Sequence, residues 1–390
     1  MLWALFWALA IPAVLLALES LRAGRRHLDS IRKLIAQPPG EWAPPATLIV
    51  PVKGLDPGLR ENFRSLLEQD YPDFELLVTV RSAKDAAVAE IRPLLGEKAR
   101  LVVASGGPEN TGEKIRNLLA AVASARPSSE VFAFADSDGR VERGWLRGLV
   151  APLAEPAAGA ATGYRWYFPE GGGFWSLMRS VWNSTIAGNF GAGRPQFAWG
   201  GAMAVRRETF EKARVAEFWR GAASDDYRLT QAVRAAGLGI HYTPRAMVES
   251  GGACPAREFL SWATRQMIIT RVYRPRLWWM GFLAHVWYCG AMIAAAVVIA
   301  GGGVWAALIL LLVVGPGMWR GELRRRAARL MFPGRAGWLR SHGWVYSWLA
   351  APATWVWLLV FLLSLFRKRI EWHGNIYELL GPSKTRCIRA

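Results

Sequence analysis

Two carboxylates lie one residue apart at the end of an apolar run. The segment FAFADSDGR, residues 132–140, brings Asp136 and Asp138 directly after a predicted buried strand. Carboxylates at positions i and i+2 after a strand can both turn toward one hard cation, and Mg²⁺ is often held by one or two carboxylates together with substrate phosphates. Asp-Ser-Asp-Gly is also good turn chemistry by itself. The pair is therefore a candidate metal site or a plain turn.

A second acidic pair opens a predicted helix. In SDDYRLTQAVRAAG, residues 224–237, Ser224 suits the N-cap position and Gly237 the stop. Asp225 and Asp226 fall in the first turn, where carboxylates favour the helix N-terminus. A carboxylate on a rigid helix end can also act as a general base for a hydroxyl. Asp226 is the candidate for that role.

Lys114 lies in GGPENTGEKIR, residues 106–116, which lacks the Gly-Lys-Ser/Thr ending of a P-loop. The lysine is either a point charge for phosphates or a solvated helix residue. The chain has three cysteines, Cys254, Cys289 and Cys387. They are far apart and have no paired spacing, so they predict neither a zinc site nor a disulfide framework.

The elements around these residues alternate between strands and helices. We predict strands at 46–52, 74–80, 100–104, 130–135, 160–168 and 197–205, and helices at 59–68, 86–95, 113–125 and 224–237. Apolar strands separated by helices indicate an α/β fold with a doubly wound, Rossmann-like sheet. Ligands of such sheets bind at the carboxyl ends of the strands, where Asp136 and Asp138 fall. The Gly200–Gly201 pair would let the backbone approach another group closely.

The composition indicates a membrane protein. The chain has 390 residues, 52% of them apolar, with 21 tryptophans, which is too apolar for an ordinary soluble domain. Residues 1–20 begin with an apolar run and lead into an arginine cluster, which indicates an uncleaved transmembrane anchor rather than a secretory signal. Residues 277–318 are long enough for a transmembrane hairpin. The basic flank of the anchor places the α/β domain, predicted at 46–255, in the cytosol, on a multi-pass protein of the inner (cytoplasmic) membrane.

Three further segments carry the composition of membrane-associated regions. Residues 256–280 mix aromatic and basic residues, as an interfacial helix or a core-packed helix would. Residues 319–343 form a basic amphipathic interfacial segment, and residues 344–366 form a transmembrane or re-entrant segment. We favour re-entry, because a full crossing would move the basic residues of the predicted cytosolic tail, 367–390, out of the cytoplasm.

The net charge of +18 lies mainly beside the apolar runs. Most of it falls in residues 20–33, 319–343 and 365–390. Positive-inside topology and anionic lipid headgroups account for that distribution. We therefore predict the lipid bilayer as a partner and no nucleic acid.

Eight motifs in a fixed order resemble one family. They are PVKGLD (51–56), EQDYP (68–72), EKIRNL (113–118), ADSD (135–138), GGAMAVRRE (200–208), SDDY (224–227), the 262–265 region and IEWHGNIYEL (370–379). Together they resemble the ceramide glucosyltransferases and their bacterial relatives, some of which glycosylate hopanoids. These are membrane-bound family 2 glycosyltransferases of the GT-A fold. The resemblance covers residues 46–275 and the C-terminal tail.

The resemblance implies an inverting transfer of a sugar from a nucleotide-diphosphate donor to a lipid hydroxyl. It implies that Asp136 and Asp138 hold Mg²⁺ or Mn²⁺ on the donor diphosphate, and that Asp226 removes the acceptor proton. The donor-binding residues that it implies are Lys53, Ser82, Asp85, Lys114, Asn117, Asp136 and Arg265. The expected partners are a UDP-sugar and a lipid of the ceramide, diacylglycerol or hopanoid type.

The chain departs from the family pattern at two places. Of the Gln/Arg-x-x-Arg-Trp motif only Arg265 remains, because Trp262 and Gln266 occupy the outer positions. The aspartate that contacts the nucleobase is replaced by Ser82, with Asp85 nearby as a substitute. These departures keep open a membrane-tethered nucleotide-sugar-binding protein that has lost catalysis. Within the same class of enzyme, the alternative is a polysaccharide synthase.

Overall fold

The computed structural model describes residues 2–389 except 39, 109, 172 and 192–195. The chain divides into two compact units. The α/β unit comprises Leu34–Phe168, Gly193–Gly252 and Lys368–Ala390, and the helical unit comprises Met1–Lys33, Pro169–Ala192 and Ala253–Arg367.

The strands β1 to β12 span, in order, Ala46–Pro51, Phe74–Val80, Ala99–Val103, Val131–Ala135, Ala158–Thr162, Arg165–Tyr167, Ala202–Arg206, Gly239–Tyr242, Val248–Ser250, Arg369–Trp372, Asn375–Gly381 and Lys384–Arg389. The helices α1 to α15 span Leu2–Ala36, Leu59–Leu67, Ala86–Ile91, Glu113–Ser124, Trp145–Val150, Phe174–Ala187, Arg207–Lys212, Val215–Trp219, Asp225–Ala235, Ala256–Tyr273, Pro275–Ala300, Ala306–Met331, Ala336–Ser341, Val345–Trp348 and Ala350–Ser364.

The α/β unit is built on a seven-stranded sheet with the order β3-β2-β1-β4-β7-β5-β8. Strand β1 pairs in parallel with β2 and β4, β2 with β3, and β5 with β8. Strand β7 is antiparallel to both of its neighbours. The predicted α/β class with a mainly parallel sheet is confirmed, with this one reversed strand as a refinement that the apolar pattern did not indicate.

The strand predicted at 160–168 is two strands. Strand β5 lies in the main sheet, whereas β6 pairs with β9 in a separate two-stranded sheet. The break falls at Gly163, where an added Cβ would lie 1.7 Å from the carbonyl oxygen of Ala246. This close backbone approach turns the chain out of the main sheet and places Arg165 near the end of β4.

Both faces of the main sheet are buried. Alternate residues of a strand point to opposite faces, so Leu48 and Val50 lie in the core under α2, α3 and α5. Ile49 and Phe132 lie in the core under α4 and α9. Burial on both sides holds the strand ends, and the side chains that follow them, in fixed positions.

The last strands form a three-stranded antiparallel sheet, β10-β11-β12, within the α/β unit. Strands β10 and β11 are joined by His373 and Gly374, whose φ angles of 46° and 79° are both left-handed. This is the backbone that a two-residue type I′ hairpin turn requires. The segment predicted as a basic tail, which includes the motif at 370–379, thus contains three strands.

In the helical unit, three helices among the described residues are long and apolar enough to cross a membrane. They are Trp3–Ala36, Pro275–Ala300 and Ala306–Met331. The last two match the predicted hairpin, although α12 continues into the arginine-rich segment. Helix α15 has 15 residues, fewer than the roughly 20 that a full span needs. The topology of this segment stays a prediction.

Candidate active site

A chain of ion pairs crosses the carboxyl edge of the main sheet. The Nζ atom of Lys114, on α4, lies 2.9 Å from Oδ1 of Asp136 and 3.3 Å from Oδ2 of Asp225. Arg165, on β6, contacts both carboxylate oxygens of Asp138, and its Nη2 lies 3.1 Å from Oδ2 of Asp136. The structure thus brings the predicted residues Asp136, Asp138 and Lys114 together with the start of α9.

The five side chains differ in exposure. The side chain of Asp225 is 3% exposed, that of Asp136 27% and that of Asp138 41%. Lys114 and Arg165 are mostly buried between them. Among the three carboxylates of this group of ion pairs, Asp138 is therefore the most open to a ligand.

The two basic residues keep the charges of the group in place. Burial alone would raise the pKa of Asp138, but the guanidinium of Arg165 outweighs it and leaves that pKa below its usual value. Burial likewise disfavours the charge of Lys114, but the carboxylates of Asp136 and Asp225 raise the lysine pKa above its usual value. Asp138 is thus anionic and Lys114 cationic at neutral pH.

Asp225 behaves differently from the other carboxylates. Burial raises its pKa to about 6, although the ammonium of Lys114 acts in the opposite direction. The nearby charges of Asp226 and Asp136 add to the increase. The main chain of Asp225 is held by the indole of Trp219, which donates a 2.9 Å hydrogen bond to its carbonyl oxygen.

Asp226 lies in the first turn of α9. Ser224 is the N-cap residue, as predicted, because its hydroxyl accepts a hydrogen bond from the N–H of Tyr227. Oδ1 of Asp226 accepts from that hydroxyl and, at 2.7 Å, from the same N–H. These contacts fix the orientation of the carboxylate at the helix end.

The glycine pair lies against the same group of charges. A Cβ at position 200 would lie 2.5 Å from Oδ2 of Asp225, and one at position 201 would lie 2.6 Å from Oδ2 of Asp136. Gly200 therefore approaches Asp225, and Gly201 approaches Asp136 together with the indole of Trp199, 2.2 Å from its added Cβ.

The carboxylates fit a divalent cation that is shared with a substrate. A carboxylate offers about four acceptor sites, so the two bonds from Arg165 leave Asp138 able to bind a cation on its open side. No cluster of three or more His, Cys, Asp or Glu suited to a metal occurs in the described part of the chain. A hard cation held by Asp136 and Asp138 would therefore complete its oxygen ligands from phosphate, as Mg²⁺ commonly does.

Two of the predicted donor-binding residues flank this group. Lys53 follows β1, and its ammonium donates to Glu113 at 3.0 Å and to Asn375 at 2.8 Å. Asn117 is buried on α4, one helical turn after Glu113.

The residues predicted to contact the base lie farther along the sheet edge. Ser82 is exposed, and its hydroxyl accepts from the N–H of Lys84 at 3.2 Å. Asp85 is the N-cap of α3 and accepts from the N–H groups of Ala87 and Gly54 at 2.9 and 3.0 Å. Arg265 lies on α10 of the helical unit. The role of each in binding a donor stays a prediction.

Three residues of the site were not predicted from the sequence. Arg165 was read only as part of a strand, although a basic residue in an otherwise apolar strand is a signal that it has a buried partner. Asp225 was assigned only to the helix N-terminus. Asp56, in the PVKGLD motif, accepts a 2.5 Å hydrogen bond from Ser137, and burial raises its pKa.

A protein-family model for glycosyl transferase family 21 matches residues 5–384. The chain belongs to glycosyl transferase family 21. This confirms the resemblance on which the motifs were grouped and the class of enzyme that they indicate. Ceramide glucosyltransferase 1 of Caenorhabditis elegans is 29% identical to this glycosyltransferase over 91 residues, which are 23% of the chain and 20% of that protein. The chain thus matches only about a fifth of the length of this relative.

A solved structure supports the GT-A fold of this family 21 glycosyltransferase. The mannosyltransferase PcManGT from Pyrobaculum calidifontis, solved in complex with GDP-Man and Mn²⁺, has a TM-score of 0.52 and 18% sequence identity. The comparison covers 90% of this chain and 99% of the mannosyltransferase. At this identity the likeness concerns the fold.

The contact of Lys114 with Asp225 predicts a large effect on stability. Lys114→Met leaves the buried carboxylate of Asp225 without its cation, so we expect the free energy of unfolding to fall by about 3 kcal/mol, seen as a melting temperature in detergent lower by about 5–10 °C. The double variant Lys114→Met/Asp225→Asn should regain most of this loss. Lys84→Met, at an exposed lysine, is the control. A double variant no more stable than Lys114→Met would contradict the pairing.

The pKa of Asp225 predicts a pH dependence of stability. Because this pKa is raised from 3.8 to about 6 by folding, the folded protein holds the proton more tightly than the unfolded chain. The contribution of Asp225 to stability is therefore greatest below about pH 4, is lost as pH rises through about 6, and is constant above that. The melting temperature of the wild type minus that of Asp225→Asn should fall from pH 4.5 to 7. A difference that is constant or rises over this range would be inconsistent with the burial of this carboxylate.

Proposed function

We propose that this protein transfers a sugar, with inversion, from a nucleotide-diphosphate donor to the hydroxyl of a lipid at the cytoplasmic face of the inner membrane. The proposed acceptor is of the ceramide, diacylglycerol or hopanoid type, and the proposed donor is a UDP-sugar. Family membership supports the reaction class, and the partial match to ceramide glucosyltransferase 1 supports a lipid acceptor.

One observation carries the proposal. Lys114 contacts both Asp136, after β4, and Asp225, at the start of α9. The carboxylates proposed to hold the donor diphosphate and the helix that carries the proposed base, Asp226, are thus joined through a single lysine. A sugar placed beside Lys114 would meet both groups.

The charged side chains of the site suit the bonds that form and break in the transfer of the sugar. The acceptor oxygen forms a bond to the anomeric carbon while the bond from that carbon to the diphosphate oxygen breaks. Asp226 accepts the hydroxyl proton, and Lys114 and Arg165 offset the negative charge that remains on the diphosphate. Mg²⁺ or Mn²⁺, held through Asp136 and Asp138, supplies further positive charge to the leaving group when bound.

The donor nucleotide depends on residues outside the ion-pair chain. We propose Lys53, Ser82, Asp85, Asn117 and Arg265 as further donor-binding residues. The similar mannosyltransferase binds GDP-Man with Mn²⁺, which supports a nucleotide sugar with a divalent cation. Ser82 replaces the aspartate of the family pattern that contacts the nucleobase. The nucleobase of the donor is therefore to be identified by assaying a panel of sugar nucleotides.

The candidate membrane helices suit a lipid acceptor. A lipid presents its hydroxyl at the headgroup level, whereas a sugar nucleotide is anionic and water-soluble. An enzyme that joins them has to be held at the membrane surface, and the three long apolar helices can provide that anchorage. So few spans also leave little room for a polymer channel, which argues against a polysaccharide synthase.

The base role is tested by Asp226→Asn in purified protein in detergent. Given UDP- and GDP-sugars with ceramide, diacylglycerol and hopanoid acceptors, the wild type should turn over one combination. The variant should lose about 10²–10⁴-fold in kcat while binding the same donor with unchanged affinity, because the amide has the size of the carboxylate but cannot take the proton.

The control for this experiment is Asp73→Asn, at a half-exposed surface carboxylate that pairs with Arg126, which should keep full activity. Unchanged turnover of Asp226→Asn would remove Asp226 from the base role. Donor binding by the wild type without turnover of any acceptor would favour the binding-protein alternative.

The metal role is tested by chelation. Exhaustive treatment with EDTA should abolish turnover, and Mn²⁺ or Mg²⁺ should restore it, because the protein carboxylates and the diphosphate together form the cation site. Asp138→Asn removes the more exposed carboxylate and should raise the metal concentration needed for half-maximal activity by about tenfold or more. Turnover that persists after chelation would rule out the proposed cation.

A further inference from the structure

Four polar side chains form a closed network between the C-terminal sheet and the start of α4. The amide nitrogen of Asn375 donates to Oε2 of Glu113 at 2.8 Å and to the hydroxyl of Tyr377 at 2.7 Å. Its amide oxygen accepts from Nζ of Lys53 at 2.8 Å, and the same ammonium lies 3.0 Å from Glu113. Asn375 is 3% exposed, so its amide makes these bonds away from solvent.

The network also caps α4. Gly112 stands at the N-cap position of this helix and has no side chain to accept from the first N–H groups, which helix geometry leaves unpaired. The hydroxyl of Tyr377 accepts from the N–H of Glu113 at 3.2 Å. Tyr377, 264 positions after Glu113 in the sequence, thus supplies the acceptor that an N-cap side chain usually provides.

The residue directly after this cap is Lys114. A lysine in the first turn of a helix is unfavourable, because its charge meets the positive end of the helix dipole. The side chain is also long and flexible. Its contacts with Asp136 and Asp225 therefore depend on the backbone at the helix start being held in one place.

The hairpin turn reaches the same lysine. Trp372 pairs with Asn375 across the two-residue turn, and the centre of its ring lies 6.0 Å from Nζ of Lys114. His373, in the turn, is close enough to act on the carboxylates of Asp138 and Asp56, although Arg165 dominates the lowered pKa of Asp138 and burial keeps the pKa of Asp56 above its usual value. The turn thus borders the ion-pair chain.

A second contact joins the tail to the loop before α9. Gly221 has a φ of 74°, and an added Cβ there would lie 2.2 Å from the carbonyl oxygen of Ser383, in the turn before β12. The N–H of Gly221 donates to the hydroxyl of Thr111 at 2.8 Å, and the N–H of Gly112 to the carbonyl of Ala222 at 2.8 Å. The tail therefore packs on both segments that lead into the site helices.

We propose that the C-terminal sheet is a built-in clamp of the donor site, in which Asn375 and Tyr377 are positioning residues that fix the first turn of α4 and so aim Lys114 between Asp136 and Asp225. The proposal rests on the proposed function for the statement that Lys114 binds diphosphate. The clamp itself is a property of the fold that can be measured without substrate.

The experiment compares Asn375→Ala and Tyr377→Phe with the wild type and with Lys384→Ala, an exposed position on the same sheet. Hydrogen exchange of peptides covering residues 112–118 reads the clamp directly. We expect about tenfold faster exchange there in both variants, because each loses a buried partner of Glu113. Exchange in β1 and β4 should be unchanged, and the Lys384→Ala control should match the wild type throughout.

The consequence for binding is measured with pyrophosphate and Mn²⁺ by calorimetry, a probe that needs neither the sugar nor the base. Both variants should bind about fivefold to tenfold more weakly. In steady-state assays the KM for the donor should rise by a similar factor while the KM for the lipid stays the same, a split that general destabilisation does not produce.

Exchange at 112–118 that equals the wild type in both variants would overturn the clamp. Faster exchange with unchanged pyrophosphate affinity would overturn the positioning of Lys114. A wild type that binds no pyrophosphate with Mn²⁺ would instead contradict the proposed function. In that case the hydrogen-exchange result alone tests the clamp. Tyr377→Phe, which removes one oxygen atom, serves if Asn375→Ala does not fold.

Discussion

The geometry of the site depends on the buried ammonium group of Lys114. Lys114 lies between a carboxylate that follows β4 and a more deeply buried one that begins α9. Two negative groups so close would repel each other in a medium of low dielectric constant, and each would lose its hydration. The lysine removes that conflict and fixes the distance between two elements that come from distant parts of the chain. A diphosphate that draws the ammonium away would have to be accompanied by compensating positive charge, which explains why a carboxylate-bound cation suits this site.

Much of the fold could be predicted because its signals are local. Apolar runs of strand length, helical periodicity between them and the cap at Ser224 each need only a few neighbouring residues, and the structure has these strands and helices within a few positions. The sequence also indicated which strand end carries a pair of carboxylates, whose role in catalysis stays a prediction. The carboxylates after β4 lie where the rule for parallel strands expects a ligand, whereas the base role of Asp226 at the start of α9 stays a prediction that the family resemblance implies.

The rest depends on contacts that local patterns do not encode. Arg165 reaches the site because the backbone turns out of the main sheet at Gly163, a close approach to Ala246 that no periodicity shows. The basic residues of 367–390 follow a predicted membrane segment, so their composition indicated a cytosolic basic tail, although 370–379 also matched a family motif. The contacts of Asn375 and Tyr377 with the start of α4, where Gly112 supplies no side-chain cap, are visible only in the structure. The interpretation of these basic residues as a membrane flank did not indicate the sheet β10-β11-β12.

Lys114 and Asp138 are proposed to bind the donor diphosphate together, Lys114 directly and Asp138 through a divalent cation. The most direct test is an experimental structure of the protein with Mn²⁺ and the UDP- or GDP-sugar that it binds. This arrangement predicts diphosphate oxygens within about 3 Å of Nζ of Lys114 and the cation on the carboxylate of Asp138, with Asp226 facing the sugar. A donor bound elsewhere, with Lys114 still joined to Asp136 and Asp225, would contradict it.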